Sequence, residues 1–442
     1  MSADNAAVRA TVRKISFRLS IFIGLMFFVN FLDRVSISFA GPSGMNHDLG
    51  LSAAQFGFAA GIFFIGYIIL EIPSNLALHR FGARVWLARI MVTWGIVTVL
   101  FTWVQNVHQL YWLRFLLGIA EAGFFPGAIL FLSLWVPQRF RSQVLASFYI
   151  AQPLTIVVGS PLAALLMQLH GLTGLAGWRT MYLGVGALAV IVGIVTFFLL
   201  PDRPSEAKWL TQGERDWLKA ELAQEDGVPR HASPLHALTN GRVWLLSIVY
   251  FGLVYGLYAI AFFLPTIIAG FQSHAGVHFG VMQKALITAI PYLPAAIVLF
   301  LWSRDATKRG VRAWHVGIPA IAGAVAIPLA VQVSDTVAVM ALMTVVACAI
   351  FAALPVFWSI PSRFLTGGAA AAGIALINTV GNVAGFVAPY ITGYLKGATG
   401  GYQLPMLIVG VFMALSAVVI FSLTLKPTPP EAKANRASRV AS

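Results

Sequence analysis

Residues 17–40 read FRLSIFIGLMFFVNFLDRVSISFA, and the fold turns on how that run is understood. It is long enough for a bilayer span, which takes about 20 residues. Yet Asp33 and Arg34 stand side by side within it, just after Asn30. A charge near the middle of a span costs at least about 2.5–3.5 kcal/mol on insertion scales. Such a pair is either a neutral ion pair that locks helices together or a substrate or proton site. The second is the default reading of intramembrane ionisable residues.

Composition makes the rest of the chain a membrane protein too. Of 442 residues, 59% are hydrophobic and only 10% charged, against roughly 25% charged in soluble domains. The single cysteine, Cys348, lies in an apolar run, so an intrachain disulfide and a cysteine-based metal motif are excluded. The first apolar run exceeds a signal-peptide core and lacks a small-residue cleavage pattern, so it is expected to remain as the first span.

The net charge of +14 raises the question of nucleic acid. Its placement answers otherwise. Of 29 Lys and Arg residues, 24 fall in the N-terminal tail, the even-numbered loops and the C-terminal tail. Three (Arg179, Lys284 and Lys396) flank odd-numbered loops, and two (Arg34 and Arg114) are intramembrane. That asymmetry is the positive-inside pattern and puts both termini in the cytoplasm.

Twelve apolar spans follow, near 17–40, 54–78, 84–104, 109–135, 142–168, 178–200, 242–270, 281–302, 312–332, 336–362, 368–395 and 402–426. They predict an all-α membrane protein of two six-helix bundles, residues 1–200 and 242–442, joined by a cytoplasmic linker, 201–241. In the linker, Thr211 to Glu214 forms a capping box. Trp209, Leu210, Trp217, Leu218 and Leu222 fall on one helical face, which predicts an amphipathic helix along the interface. The halves repeat in parallel. Gly82 and Gly310 are 228 residues apart, as are Pro161 and Pro389; Pro42 and Pro265 are 223 apart.

Polar residues inside the spans mark the candidate site. In span 4, Arg114 and Glu121 are two turns apart and share a face, with Gly118 between them to admit a neighbour. With Asp33 and Arg34, both acid–base pairs lie in the first half. The second half offers Tyr255 and Tyr258 in span 7, Trp358 and Ser359 in span 10, and Asn378 and Asn382, one turn apart, in span 11. Arginines grip carboxylates through two-pronged bonds. Carboxyls withdrawn from water can take up protons. Amides and aromatics opposite can read hydroxyls and a carbon face. Gln152 in span 5 and Tyr67 in span 2 are further polar candidates, for substrate or for helix–helix contact. Glu71, in the run EIPSN, is expected to join the Arg80/Arg84 loop in a gate or structural network. The histidines sit at span ends or in loops and show no metal-ligand spacing. No P-loop, catalytic triad or haem motif is present, so neither a cofactor nor an enzyme activity is expected.

Several motifs resemble the major facilitator superfamily, and within it the anion:cation symporters of the tartrate, phthalate and hydroxyphenylacetate permease branch. They are NFLDRV in span 1, EIPSNLALHRFGARVWLARIMVTWG across spans 2 and 3, and RFLLGIAEAGFFPG in span 4. LLPDRPSEAKWL at the start of the linker, FLPTII, IPYLP and AGIALINTVGNVAGFVAPY complete the set, so the likeness covers nearly the whole chain. The resemblance implies proton-driven uptake of a small organic anion across the bacterial inner membrane by alternating access, as a monomer. It places proton handling on Asp33 and Glu121; Arg114 joins them from its place on the face of Glu121. The resemblance places the substrate carboxylate on Arg34 and further contacts on Tyr67, Gln152 and Asn378 or Asn382; Trp358, opposite them in span 10, is added from its position alone. The substrate is then a tartrate-like hydroxy acid or sugar acid, or an aromatic carboxylate; a non-transporting sensor on the same fold is the remoter alternative. Two departures stand out: His79 precedes Arg80 where the superfamily places Asp, and Ser74-Asn75 replaces its first Gly. These put the usual Asp-based cytoplasmic latch in doubt.

Overall fold

The computed structural model describes residues 3–226, 239–275, 279–361 and 367–423. His231, His236 and His278 lie outside them, as does part of the linker. Among the described residues, eleven helices are long and apolar enough to cross a membrane, and the shorter apolar helix Trp314–Ala330 supplies a twelfth span. In the first bundle, span 1 is Ala3–Ala40, span 2 Ala53–Phe81, span 3 Ala83–Leu100, span 5 Gln138–Gln168 and span 6 Gly177–Leu199. In the second, span 7 is Gly241–Ala275, span 9 Trp314–Ala330, span 10 Thr336–Phe357, span 11 Gly367–Thr399 and span 12 Gln403–Ser422.

Spans 4 and 8 are each broken in two. Span 4 runs Val107–Glu121, then Phe124–Trp135; span 8 runs Val281–Ala289, then Tyr292–Arg309. The break in span 4 follows Glu121 directly. Gly123 takes φ +86°, a left-handed conformation open to glycine without strain, so the chain unwinds beside the charged centre. Side-chain caps start several helices at loop edges. Ser52 and Gln55 form a capping box on span 2, Asn106 caps span 4, and Asp335 caps span 10.

Lipid tails are as apolar as leucine, so the bundles are held by close packing through small residues rather than by water exclusion. A Cβ on Gly95 would meet the Gly186 carbonyl oxygen at 2.8 Å, and one on Gly186 would meet that of Gly95 at 2.7 Å, which locks span 3 on span 6. Spans 9 and 12 repeat the arrangement with Gly410 against the Ala324 carbonyl oxygen at 2.9 Å. The two bundles meet tightly at one end. There Gly57 of span 2 lies on the Pro389 carbonyl of span 11, and Gly393 lies on the Ala53 carbonyl. At the same end, Phe39, Pro42 and Ser160 face Pro265, Lys284 and Thr288 across a narrow crevice.

Gly118 has the contact its position in span 4 suggests. A Cβ there would overlap the Phe63 carbonyl oxygen of span 2. Gly118→Leu is therefore expected to cost about 3 kcal/mol or more, the upper range for overpacking, because a backbone carbonyl cannot swing aside. Thermal unfolding in detergent would check this, with a substantially lowered midpoint expected.

The linker helix Gln212–Asp226 forms with the expected capping box: Thr211 and Glu214 exchange bonds of 2.8 and 3.3 Å. Its apolar side packs on protein, however. Leu210 and Leu218 are buried, Trp209 stacks on Trp135 at 6.0 Å, and Lys14 pairs with Glu214 at 2.9 Å. The helix is thus fastened to the first bundle.

Candidate functional site

Neighbouring residues on a helix point about 100° apart, and this separates the two charges of span 1. Asp33, fully buried, turns to span 3, where the Thr98 hydroxyl donates toward both its oxygens (2.9 and 2.8 Å). Arg34 turns to the centre of the molecule. Its Nη2 donates to Glu121 Oε2 at 2.5 Å and its Nε to the same oxygen at 3.2 Å. Its Nη1 donates to the Tyr258 hydroxyl of the other bundle at 3.1 Å. Three rings surround the guanidinium: Phe63 at 4.9 Å, Tyr67 at 5.2 Å and Phe64 at 5.9 Å.

Neither of the acid–base pairs read from the sequence forms; one new pair, Arg34 with Glu121, joins spans 1 and 4. Asp33 bonds Thr98, and Glu121 bonds Arg34. Arg114 does not bond Glu121, although the two share a helix face. It is fully buried and donates from Nε to the Ala59 carbonyl (3.1 Å) and from Nη2 to the Ala60 carbonyl (3.2 Å). The cause is local: Gly118 lets span 2 come so close that its backbone carbonyls reach Arg114 first. Asp33 and Tyr182 are within electrostatic reach of Arg114, so it still completes the charged cluster of the first bundle.

Glu71 needs a larger correction. It does not join the Arg80/Arg84 loop. Arg84 pairs instead with Asp202 at 3.3 Å, and Asp202 also accepts the Arg84 backbone N–H at 2.8 Å. Glu71 crosses to the other bundle, where its two oxygens accept from Asn378 Nδ2 and from Asn382 Nδ2, the latter at 3.3 Å. The two asparagines do face the same way, and the group they face is this carboxylate.

The remaining candidates divide. Tyr67 lies against Arg34, as described. Trp358 packs edge-on to Tyr250 at 4.8 Å, and Tyr250 in turn lies on Gly381 beside Asn382. Gln152 is buried in the first bundle but stands outside the bonds that tie Arg34, Glu121 and Tyr258 together. Tyr255 is buried one turn from Tyr258 but makes no bond to the Arg34 group. Thr98 was not legible as a site residue, because a lone threonine in an apolar span is usually bonded to its own helix. Among the described residues, no cluster of His, Cys, Asp or Glu could hold a metal ion.

Two bundles that enclose a buried, charged centre reached from both halves make a membrane transporter. The chain belongs to the Major Facilitator Superfamily, whose model matches residues 23–389. A protein of Agrobacterium vitis named "Putative tartrate transporter" is 45% identical, over 95% of this chain and 95% of that one. The "Quinolone resistance transporter" of Acinetobacter baumannii is 39% identical over 94% and 93%. The solved structure of the xylose transporter XylE from E. coli, in a partially occluded inward-open conformation, shares the fold at a TM-score of 0.71. Its identity is 16%, covering 93% of this chain and all of that one.

Proposed function

We propose that this chain imports a small organic carboxylate together with protons by alternating access, a tartrate-like hydroxy acid or a sugar acid being the substrate class. One observation carries the reading: Arg34 is gripped by the chain's own carboxylate, Glu121, at 2.5 Å. A substrate carboxylate needs the same guanidinium. It must displace Glu121, and a proton on Glu121 is what makes displacement easy, since a neutral carboxyl holds a guanidinium less strongly than a carboxylate does. Asp33 is the second proton carrier and Arg114 the fixed charge beside it. Tyr258 ties Arg34 to the second bundle, so ligand at Arg34 is sensed by both halves.

In this reading residues 1–200 and 242–442 rock against each other about the central site, with 201–241 as their tether. Tyr67, Gln152 and Trp358 border the substrate. Asn378 and Asn382 use their amide NH₂ groups on Glu71, which leaves their carbonyl oxygens to accept from substrate hydroxyls. The name of the Agrobacterium vitis relative supports an anion, since it concerns tartrate. The rings of Phe63, Phe64, Tyr67 and Tyr258 favour a second reading, an aromatic carboxylate. A thermal-shift screen separates the two: ligand at 100 times its dissociation constant stabilises by about 2.7 kcal/mol.

Transport itself is tested in proteoliposomes by counterflow and by pH-gradient-driven uptake in one preparation. Counterflow without gradient-driven accumulation would leave a uniporter and remove proton coupling. Orientation is tested separately. With Cys348 replaced by serine, a cysteine at His47 should react with an impermeant thiol reagent from outside the cell, and one at Ala220 should react only after lysis. The reverse pattern would overturn the cytoplasmic placement of the termini and linker in the inner membrane.

A further inference from the structure

Glu71 is a buried acid that the Arg34 clamp does not use. It is 7% exposed, and both its oxygens are held by amide groups of the opposite bundle, Asn378 and Asn382. Among the described residues no lysine, arginine or histidine forms an ion pair with it. The groups that face it are Arg34 of span 1, Tyr67 one turn away on its own helix, and Tyr250 of span 7, all within electrostatic reach, besides the two asparagines of span 11.

The donor count makes this link sensitive to one proton. An ionised carboxylate only accepts, so two NH₂ donors suit it. A protonated carboxyl presents an O–H at one oxygen. There a donor would meet a donor, and one of the two bonds is lost unless an amide turns over. The link also sits where its loss has leverage. Spans 2 and 11 are fixed backbone-to-backbone at Gly57 and Gly393, and Glu71 lies 14 residues further along span 2, about 21 Å at 1.5 Å per residue. Two residues beyond Glu71, Pro73 stands inside the helix. It has no N–H to give the preceding turn, so span 2 can bend there.

We propose that Glu71 is a third proton-binding residue of the transport path, and that its proton releases the tie between spans 2 and 11. Its place in the transport cycle rests on the symport reading; the tie does not. The charges at the centre are three acids, Asp33, Glu71 and Glu121, and two arginines, Arg34 and Arg114. With all five ionised, a bound monoanion is neutralised by two protons and a bound dianion by three. Glu71 therefore supplies the third site that a dicarboxylate requires to cross as a neutral complex.

The test uses no substrate. Nitroxide labels are placed at Leu76 and Ile374, both exposed and each about one turn beyond the link toward the same end, in full-length protein with Cys348 replaced by serine. Their separation is measured by dipolar electron paramagnetic resonance from about pH 5 to about pH 9, the range that carboxyls buried away from water can reach. A short-distance population at high pH that is lost as pH falls is expected. Glu71→Gln, a fixed mimic of the neutral acid, should lack that population at every pH, while Glu121→Gln should keep the transition. An unchanged distance across the pH range, or a Glu71→Gln protein that titrates like its parent, overturns the proposal. Should Glu71→Gln not fold, Asn382→Ala removes one donor and keeps the acid; it must move the transition to higher pH, and no movement is equally fatal. Because the labels report without ligand or gradient, a failure of gradient-driven uptake would sink the symport reading and leave this result standing.

Discussion

Glu121→Gln should bind substrate more tightly than the parent protein and fail to concentrate it. In the parent, ligand competes with a charged acceptor that receives two guanidinium N–H bonds from Arg34. Glutamine offers a neutral oxygen in the same place. A hydrogen bond to a charged group is worth about 1.5–3 kcal/mol and a neutral one about 0.5–1.5, so the competitor weakens by about 1 kcal/mol. Affinity at neutral pH should rise roughly fivefold. The sign with pH follows: parent binding weakens as pH rises and Glu121 ionises, and the glutamine variant loses that component. Counterflow should persist. Accumulation driven by a pH gradient should vanish, because one proton can no longer be carried. If Glu121 served only to neutralise Arg34, the same variant would strand a buried guanidinium and lose binding or fold. Retained accumulation would remove Glu121 from the proton path and leave Asp33 and Glu71.

The second large effect is at Arg34 itself. Arg34→Lys keeps the charge and loses the geometry. Lysine is a point charge on a flexible stem and cannot bond Glu121 through two nitrogens while a third reaches Tyr258. Breaking a buried, hydrogen-bonded charge contact costs about 2–5 kcal/mol. At 3 kcal/mol the dissociation constant rises by roughly a hundredfold or more. Isothermal titration with the ligand found in the thermal-shift screen would measure it. Near-parental affinity would move the clamp elsewhere, with Arg114 next, although Arg114 is occupied by the carbonyls of span 2.

Much of this architecture is legible in the residues, for a physical reason. A bilayer demands about 20 apolar residues per crossing and a biased distribution of Lys and Arg, so spans and repeat can be counted along the chain. Helix starts were visible where a side chain caps them, as at Thr211 and Glu214. Pairing inside the bundle was not. Seven-residue spacing puts Arg114 and Glu121 on one face, but which charge meets which depends on how near the neighbouring helix lies. Gly118 signalled a close approach; it could not say that the Ala59 and Ala60 carbonyls would arrive there. Adjacency misleads in the same way at Asp33 and Arg34, whose side chains diverge because the helix turns between them. Glu71 was visible in EIPSN as an acid of a gate or structural network, and Asn378 and Asn382 as a matched pair. That each answers the other, 307 and 311 residues apart, is set by the packing of spans 2 and 11 and has no local trace.

The fastening of the linker helix bears on how the molecule is made. Lys14 and Glu214, and Trp135 and Trp209, are all synthesised before the first residue of span 7. The first bundle can therefore close on its own sealing helix while the ribosome is still at work, in keeping with domains that fold as units from the N-terminus. The second bundle is locked within itself as well, as at Gly410 on the Ala324 carbonyl, but part of its polar set must wait for the first. Asn378, Asn382 and Tyr258 find their partners only on Glu71 and Arg34. The earlier half is then the template on which the later half is assembled, and a truncation after the linker should insert and persist where the isolated second half is cleared by quality-control proteases.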